Sequence, residues 1–273
     1  MPSQDLIQRY LAYLRKESSS PRTINDRKRI LIAMDAALPY GLDTATTEEL
    51  EAWLWRDGWS QGTRETYYYA FAGFYKWAAS KNILDWDPSA EITPPRVPQR
   101  LPRPVADEQL IQLLTRAAEP YRLWVALAAY GGLRCIDIAQ LQREQVTERT
   151  ITILRSKGAK ARVVPTHKVI WDAVRELPPG PITEHDPEWI AQRAAIHFSR
   201  SLKMPGVTLH RCRHWFGTMV QRLYKDLRVT QELMGHSHPS TTAGYAMVAG
   251  EQTRAAIDAL PTLAVGAGPR VSP

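Results

Sequence analysis

The chain has 273 residues, 44% hydrophobic and 23% charged, with a formal net charge of +7 and a sequence pI near 9.5. This excludes a disordered chain, leaves room for two cores, and favours a polyanionic partner without separating DNA from RNA or a membrane surface. No apolar run approaches the roughly 20 residues that cross a bilayer, the opening Met-Pro-Ser-Gln-Asp is no signal peptide, and Cys135 and Cys212 form neither a disulfide framework nor a metal-ligand spacing, so the expected setting is cytoplasmic. In chain order, Ser3 is placed to cap a first helix bearing Leu6, Tyr10, Leu11 and Leu14. Ser20-Pro21 starts a second helix, with Ile24, Ile30, Leu31 and Met34 on its apolar side. Thr46 and Glu49 make a capping box for a third. A fourth begins near Ser60 and carries Tyr67, Phe71, Phe74, Tyr75 and Trp77. Four helices with short connections predict a small all-α bundle over residues 1–90. Its polar sides carry many basic residues, Arg64 among them, as candidate phosphate contacts or as a solvated surface.

From Thr93 to Val105 the chain reads TPPRVPQRLPRPV. Prolines at 94, 95, 98, 102 and 104 exclude a regular helix and predict a semi-rigid linker over 91–105. Arg96, Arg100 and Arg103 interleave with them. A second, mostly helical domain is expected over 106–260, with helices at 107–117 and 120–130, the latter closed by Gly131-Gly132. Arg134 follows at once, with Asp137 three residues later. The β-branched run Thr150–Leu154 and the return Arg162–Pro165 predict a β-hairpin with Lys157 and Lys160 at its tip. Further helices are expected at Asp186–Leu202, at Leu209–Tyr224 with Trp215, Met219 and Leu223 inward, at Val229–Met234, and at residues 252–260. The Gly/Pro/Ala-rich tail 261–273 is expected to be disordered.

Chemistry concentrates between Thr208 and Tyr245. His210 and Arg213 lie three apart, on one face of a helix. His236 follows Gly235, and Tyr245 comes nine residues later. Arginine and histidine bind phosphate oxygens, and a tyrosine can attack phosphorus. A metal reading of His210, His214, His236 and His238 fails on charge, because Arg211 and Arg213 flank the first pair. No metal and no cofactor are expected.

These pieces, with Tyr130-Gly-Gly-Leu-Arg134 and Ser156-Lys-Gly-Ala-Lys-Ala-Arg162 upstream, stand in the order found in tyrosine recombinases. The chain resembles that phage-integrase and Xer-like family, in a compact form without an N-terminal arm-binding domain. The resemblance implies a helical, SAM-like core-binding domain ahead of a catalytic domain. It implies Tyr245 as nucleophile on a scissile DNA phosphate, giving a 3′-phosphotyrosyl link. Arg134 and Arg213 would hold the non-bridging oxygens, His210 and His236 would assist, and Lys157 would protonate the leaving 5′-oxygen, with Lys160 as the other candidate. Asp137 would support the arginine or the fold. Lys160 and Arg162 would contact phosphate, and Arg96, Arg100 and Arg103 would form a basic strap across duplex DNA. The implied function is site-specific recombination in integration, excision or dimer resolution, by a tetramer on two DNA sites in a prokaryotic cell, with a phage or mobile element as the expected source. The C-terminal helix 252–260, anchored by Ile257 and Leu260, would dock on a neighbouring protomer or on its own domain. Alternatives of other classes are a type IB topoisomerase-like relaxing enzyme and a catalytically silent DNA-binding regulator.

Overall fold

The computed structural model describes residues 3–97, 102–154, 162–224, 226–235, 254 and 257–261. The chain divides into two compact units, Met1–Arg100 and Leu101–Pro273. Among the described residues it is mainly helical with one two-stranded antiparallel pair, as the sequence predicts. Among the described residues no helix is long and apolar enough to cross a membrane.

In the first unit, α1 (Ser3–Lys16), α2 (Pro21–Asp35), α3 (Thr47–Trp55) and α4 (Gln61–Ser80) enclose one core. Local signals set their starts. Ser20 and Ser60 each accept a bond from the backbone N–H three residues on, and Thr46 and Glu49 close a reciprocal capping box. Ser3 departs from expectation. It is the first residue of α1, and its hydroxyl donates 2.8 Å to Asp43 instead of capping the helix. Leu11, Leu31, Phe71 and Phe74 are wholly buried. The buried Tyr75 hydroxyl donates 2.9 Å to the Leu42 carbonyl, so its burial leaves no orphaned donor.

The second unit is built around α6 (Tyr121–Tyr130), buried on every side from Leu123 to Tyr130. A helix apolar all round can only be central. Packed about its core are α5 (Asp107–Arg116), α7 (Cys135–Gln140), α8 (Lys168–Val174), α9 (Pro187–Arg200), α10 (Leu209–Tyr224) and α11 (Leu227–Met234). The strands β1 (Thr150–Ile153) and β2 (Arg162–Pro165) pair antiparallel, Thr150 opposite Pro165 and Ile153 opposite Arg162. The hairpin tip with Lys157 and Lys160 lies outside the described residues. Two expectations about packing change. Leu223, expected inward, is 45% exposed, while Trp215 and Met219 on the same helix are buried. The short helices α7 and α8 were not expected. Their signals are the Asp137 reach-back to Arg134 and the His167 ring accepting from the Val169 N–H at 3.2 Å. Ile257 and Leu260 are buried within this unit's own core, and the Tyr130 hydroxyl donates to the Pro261 carbonyl at 3.2 Å.

The first unit's core yields a simple expectation. Phe74→Ala removes a wholly buried ring that meets Tyr10 edge-on at 5.6 Å, and should cost about 3–5 kcal/mol in urea denaturation. Tyr40→Ser, at a position 81% exposed, should stay within about 0.5 kcal/mol of the native protein.

Candidate active site

The turn after α6 places the first arginine. Gly132 adopts φ +62°, and a Cβ there would stand 2.7 Å from the Phe216 ring of α10. Only glycine lets the turn approach α10 this closely. Arg134 follows in extended backbone at the start of α7, half-buried. Its backbone N–H donates to Oδ2 of Asp137 at 2.9 Å. The same oxygen accepts from Nη2 of Arg162, on β2, at 2.7 Å. Asp137 is 5% exposed, so the carboxylate is removed from water and held by these two donors.

The guanidinium groups of Arg134 and Arg213 meet at the end of α11. Arg134 donates from Nη2 to the Gly235 carbonyl at 3.3 Å. Arg213 is 2% exposed and donates from Nη2 to the Met234 carbonyl and from Nη1 to the Gly132 carbonyl. The two arginines therefore grip consecutive carbonyls, and Arg213 also binds the turn that carries Arg134. A guanidinium has five N–H donors in one plane, so such bonds fix both position and direction.

His210 stands one helical turn before Arg213 on α10, its ring edge-on to His214 at 4.4 Å. Partial burial, then the charges of Arg213 and Arg134, push its imidazole below the ordinary 6.5. The neutral ring, able to accept a proton, is therefore the form present at pH 7.

Arg211, between these two, was passed over in the sequence because nothing in residue spacing announces a bond to backbone. Its guanidinium donates to the carbonyls of Arg103 (3.3 Å), Pro104 (3.2 Å) and Gly206 (3.2 Å), and its own carbonyl accepts from Val105 at 3.1 Å. The last residues of the Pro/Arg-rich stretch are thus fastened to α10.

The remaining expected site residues divide. Lys157, Lys160, Arg100, His236 and Tyr245 lie outside the described residues. Arg96 and Arg103 have exposed side chains. Arg64 is half-buried and donates to the carbonyls of Trp55 (3.5 Å) and Arg56 (3.1 Å) at the exposed C-terminal end of α3. Arg162, expected at a phosphate, is only 11% exposed in its side chain and is paired with Asp137.

The phage integrase family model matches residues 105–252. The chain belongs to that family. Tyrosine recombinase XerA of Thermococcus kodakarensis is 30% identical over 274 residues, covering 92% of this chain and 94% of that protein. The solved integrase from mycobacterium phage Brujita is 28% identical, with 93% of this chain and 91% of that one covered at a TM-score of 0.52. Lambda integrase, solved as a tetramer bound to a Holliday junction, shares the fold at a TM-score of 0.70 over 88% of this chain and 78% of that one, at 18% identity. The protein is a tyrosine recombinase, an enzyme that cuts and rejoins DNA strands in site-specific recombination.

The electrostatics of the recombinase site can be read by NMR. His210 should titrate below 6.5 in the native enzyme, and Arg134→Gln should move its midpoint upward while leaving it depressed, burial being the larger cause. Because the folded value lies below the unfolded one, protonation favours unfolding. The loss of stability begins as pH falls through 6.5 and is complete below the folded midpoint. A native midpoint at or above 6.5 contradicts this arrangement.

Proposed function

We propose that Tyr245 attacks the scissile phosphate and that Arg134 and Arg213 hold its non-bridging oxygens through the transition state by forked, charge-assisted bonds. His210 accepts the tyrosine proton or orients the phosphate, and His236 donates to the phosphate. Lys157, with Lys160 as the alternative, protonates the leaving 5′-oxygen. The phosphodiester energy is kept in the phosphotyrosyl link, so a 5′-hydroxyl from another strand can religate without ATP. The observation that carries this reading is the convergence of the two arginines on the consecutive carbonyls of Met234 and Gly235, beside a histidine kept neutral.

In this reading residues 1–90 form the core-binding domain, 91–105 the linker, 106–260 the catalytic domain and 261–273 a tail. Lys160, Arg96, Arg100 and Arg103 contact DNA phosphates. The internal bonds of Arg64 and Arg162 support a place for both behind that surface. The enzyme works as a tetramer on two duplexes, a reading supported by lambda integrase, which was solved as a tetramer bound to a Holliday junction. The burial of Ile257 and Leu260 in their own unit supports docking of the C-terminal helix in cis in the free chain, and the same apolar face suits a neighbouring protomer.

The test uses nicked suicide DNA from the region flanking the gene, which traps the covalent intermediate. The native enzyme should give an adduct on a denaturing gel and Tyr245→Phe none. Persistence of the adduct in Tyr245→Phe assigns the nucleophile elsewhere. Arg134→Lys keeps charge but loses the fork, and should slow adduct formation by about 100-fold while binding is retained. Cleavage by this variant at the native rate contradicts the role given to Arg134.

A further inference from the structure

We propose that Arg162 is a positioning residue for strand cleavage, which fixes Arg134 from both ends and does not itself contact phosphate. The inference rests on the role assigned to Arg134 above.

The first hold runs through Asp137. Its Oδ2 receives both the Arg134 backbone N–H at 2.9 Å and the Arg162 Nη2 at 2.7 Å. The pair is nearly out of water, with side chains 5% and 11% exposed. An exposed ion pair is mobile and nearly neutral in energy. A buried carboxylate that loses its cation is a different matter, because one amide donor cannot replace hydration. Without Arg162, Asp137 would turn toward water, and that movement releases the Arg134 amide.

The second hold is a contact at Gly235. A Cβ on this glycine, at φ +57°, would lie 2.8 Å from Nη1, 2.9 Å from Cδ and 3.1 Å from Cζ of Arg162. The Arg162 side chain thus lies close against the residue whose carbonyl accepts from Nη2 of Arg134. One side chain therefore touches the carboxylate that sets the Arg134 backbone and the glycine that receives its fork.

The Nε and Nη1 of Arg162 are buried without a hydrogen-bond partner among the described residues. Such donors carry a penalty that an apolar side chain would avoid. A cation kept here despite that penalty fits a need for the carboxylate to stay fixed in position.

The experiment follows adduct formation on nicked suicide DNA at saturating enzyme, together with the salt dependence of binding, for Arg162→Gln, Arg162→Lys, Asp137→Asn and the Asp137→Asn/Arg162→Gln double variant. Arg162→Gln and Asp137→Asn should each slow adduct formation by about 10- to 100-fold at saturating DNA, with affinity within about 2-fold of native. The double variant should be no slower than the worse single one, since both break one link. Arg162→Lys, which can still pair with Asp137, should recover part of the rate. A native rate in Arg162→Gln overturns the proposal. So does a loss confined to affinity with the salt slope reduced by about 0.9, the mark of one lost phosphate contact. Where Arg162→Gln melts below the assay temperature, Arg162→Lys and Asp137→Asn decide by the same criteria. The native enzyme run in parallel separates the two levels of argument. No adduct from it removes the strand-transfer reading and this proposal with it, whereas an adduct from native enzyme and variants alike removes only the proposal.

Discussion

A guanidinium taken out of water must be given acceptors, and that requirement shapes the second unit. Arg213 is almost wholly buried, and an unpaired buried charge costs about 3–5 kcal/mol. The chain meets this with the carbonyls of Gly132 and Met234, one in the turn after α6 and the other at the end of α11. Three segments distant in sequence are thereby drawn to one point. Arg134 then reaches the next carbonyl, Gly235, and its own amide is tied down by Asp137. The cluster of positive charge is a consequence of how two cations were accommodated in a helical fold.

The surrounding helices keep this arrangement from relaxing. α6 supplies a central rod with no polar face, and α10 packs along it through Trp215, Phe216 and Val220. Gly132 allows the turn to press on Phe216, so the start of α7 is placed to within the thickness of one ring. Trp215 donates its indole N–H to Asp107 at 2.5 Å, and Arg211 clasps the carbonyls of residues 103 and 104, which fasten the beginning of the unit to α10. His210 and Arg213 thus ride on a helix held along its length. Partial burial, and then the two fixed cations beside it, hold the His210 imidazole below its ordinary value.

Much of this was legible in the residues. Caps at Ser20, Thr46 and Ser60 give three helix starts, and the limits of α10 follow from its apolar period. The Arg134 turn was visible in Gly131-Gly132, and the pairing of His210 with Arg213 in their spacing. What escaped was whatever depends on backbone acceptors or on contacts across the fold. Arg162 reads as a surface base on a strand, yet Asp137 draws it inward. Arg64 reads as a phosphate contact, yet it closes a helix end. Arg211 looks like one more cation beside His210, yet its partners are carbonyls in the stretch leading into α5. Leu223 fits the apolar period of α10, yet it stands 45% exposed while its neighbour Tyr224 packs against the core. Charge and period are properties of the sequence, whereas the acceptor a cation finds is a property of the folded backbone.

The claim that Arg134 and Arg213 converge on one phosphate is tested most directly by a crystal structure of the recombinase with nicked DNA and orthovanadate, whose trigonal bipyramid mimics the phosphoryl transition state. A nitrogen of each arginine should lie within about 3 Å of vanadate oxygens, with the Arg134 amide still on Asp137. A vanadate met by Arg134 alone, with Arg213 turned wholly to the carbonyls of Gly132 and Met234, would contradict it.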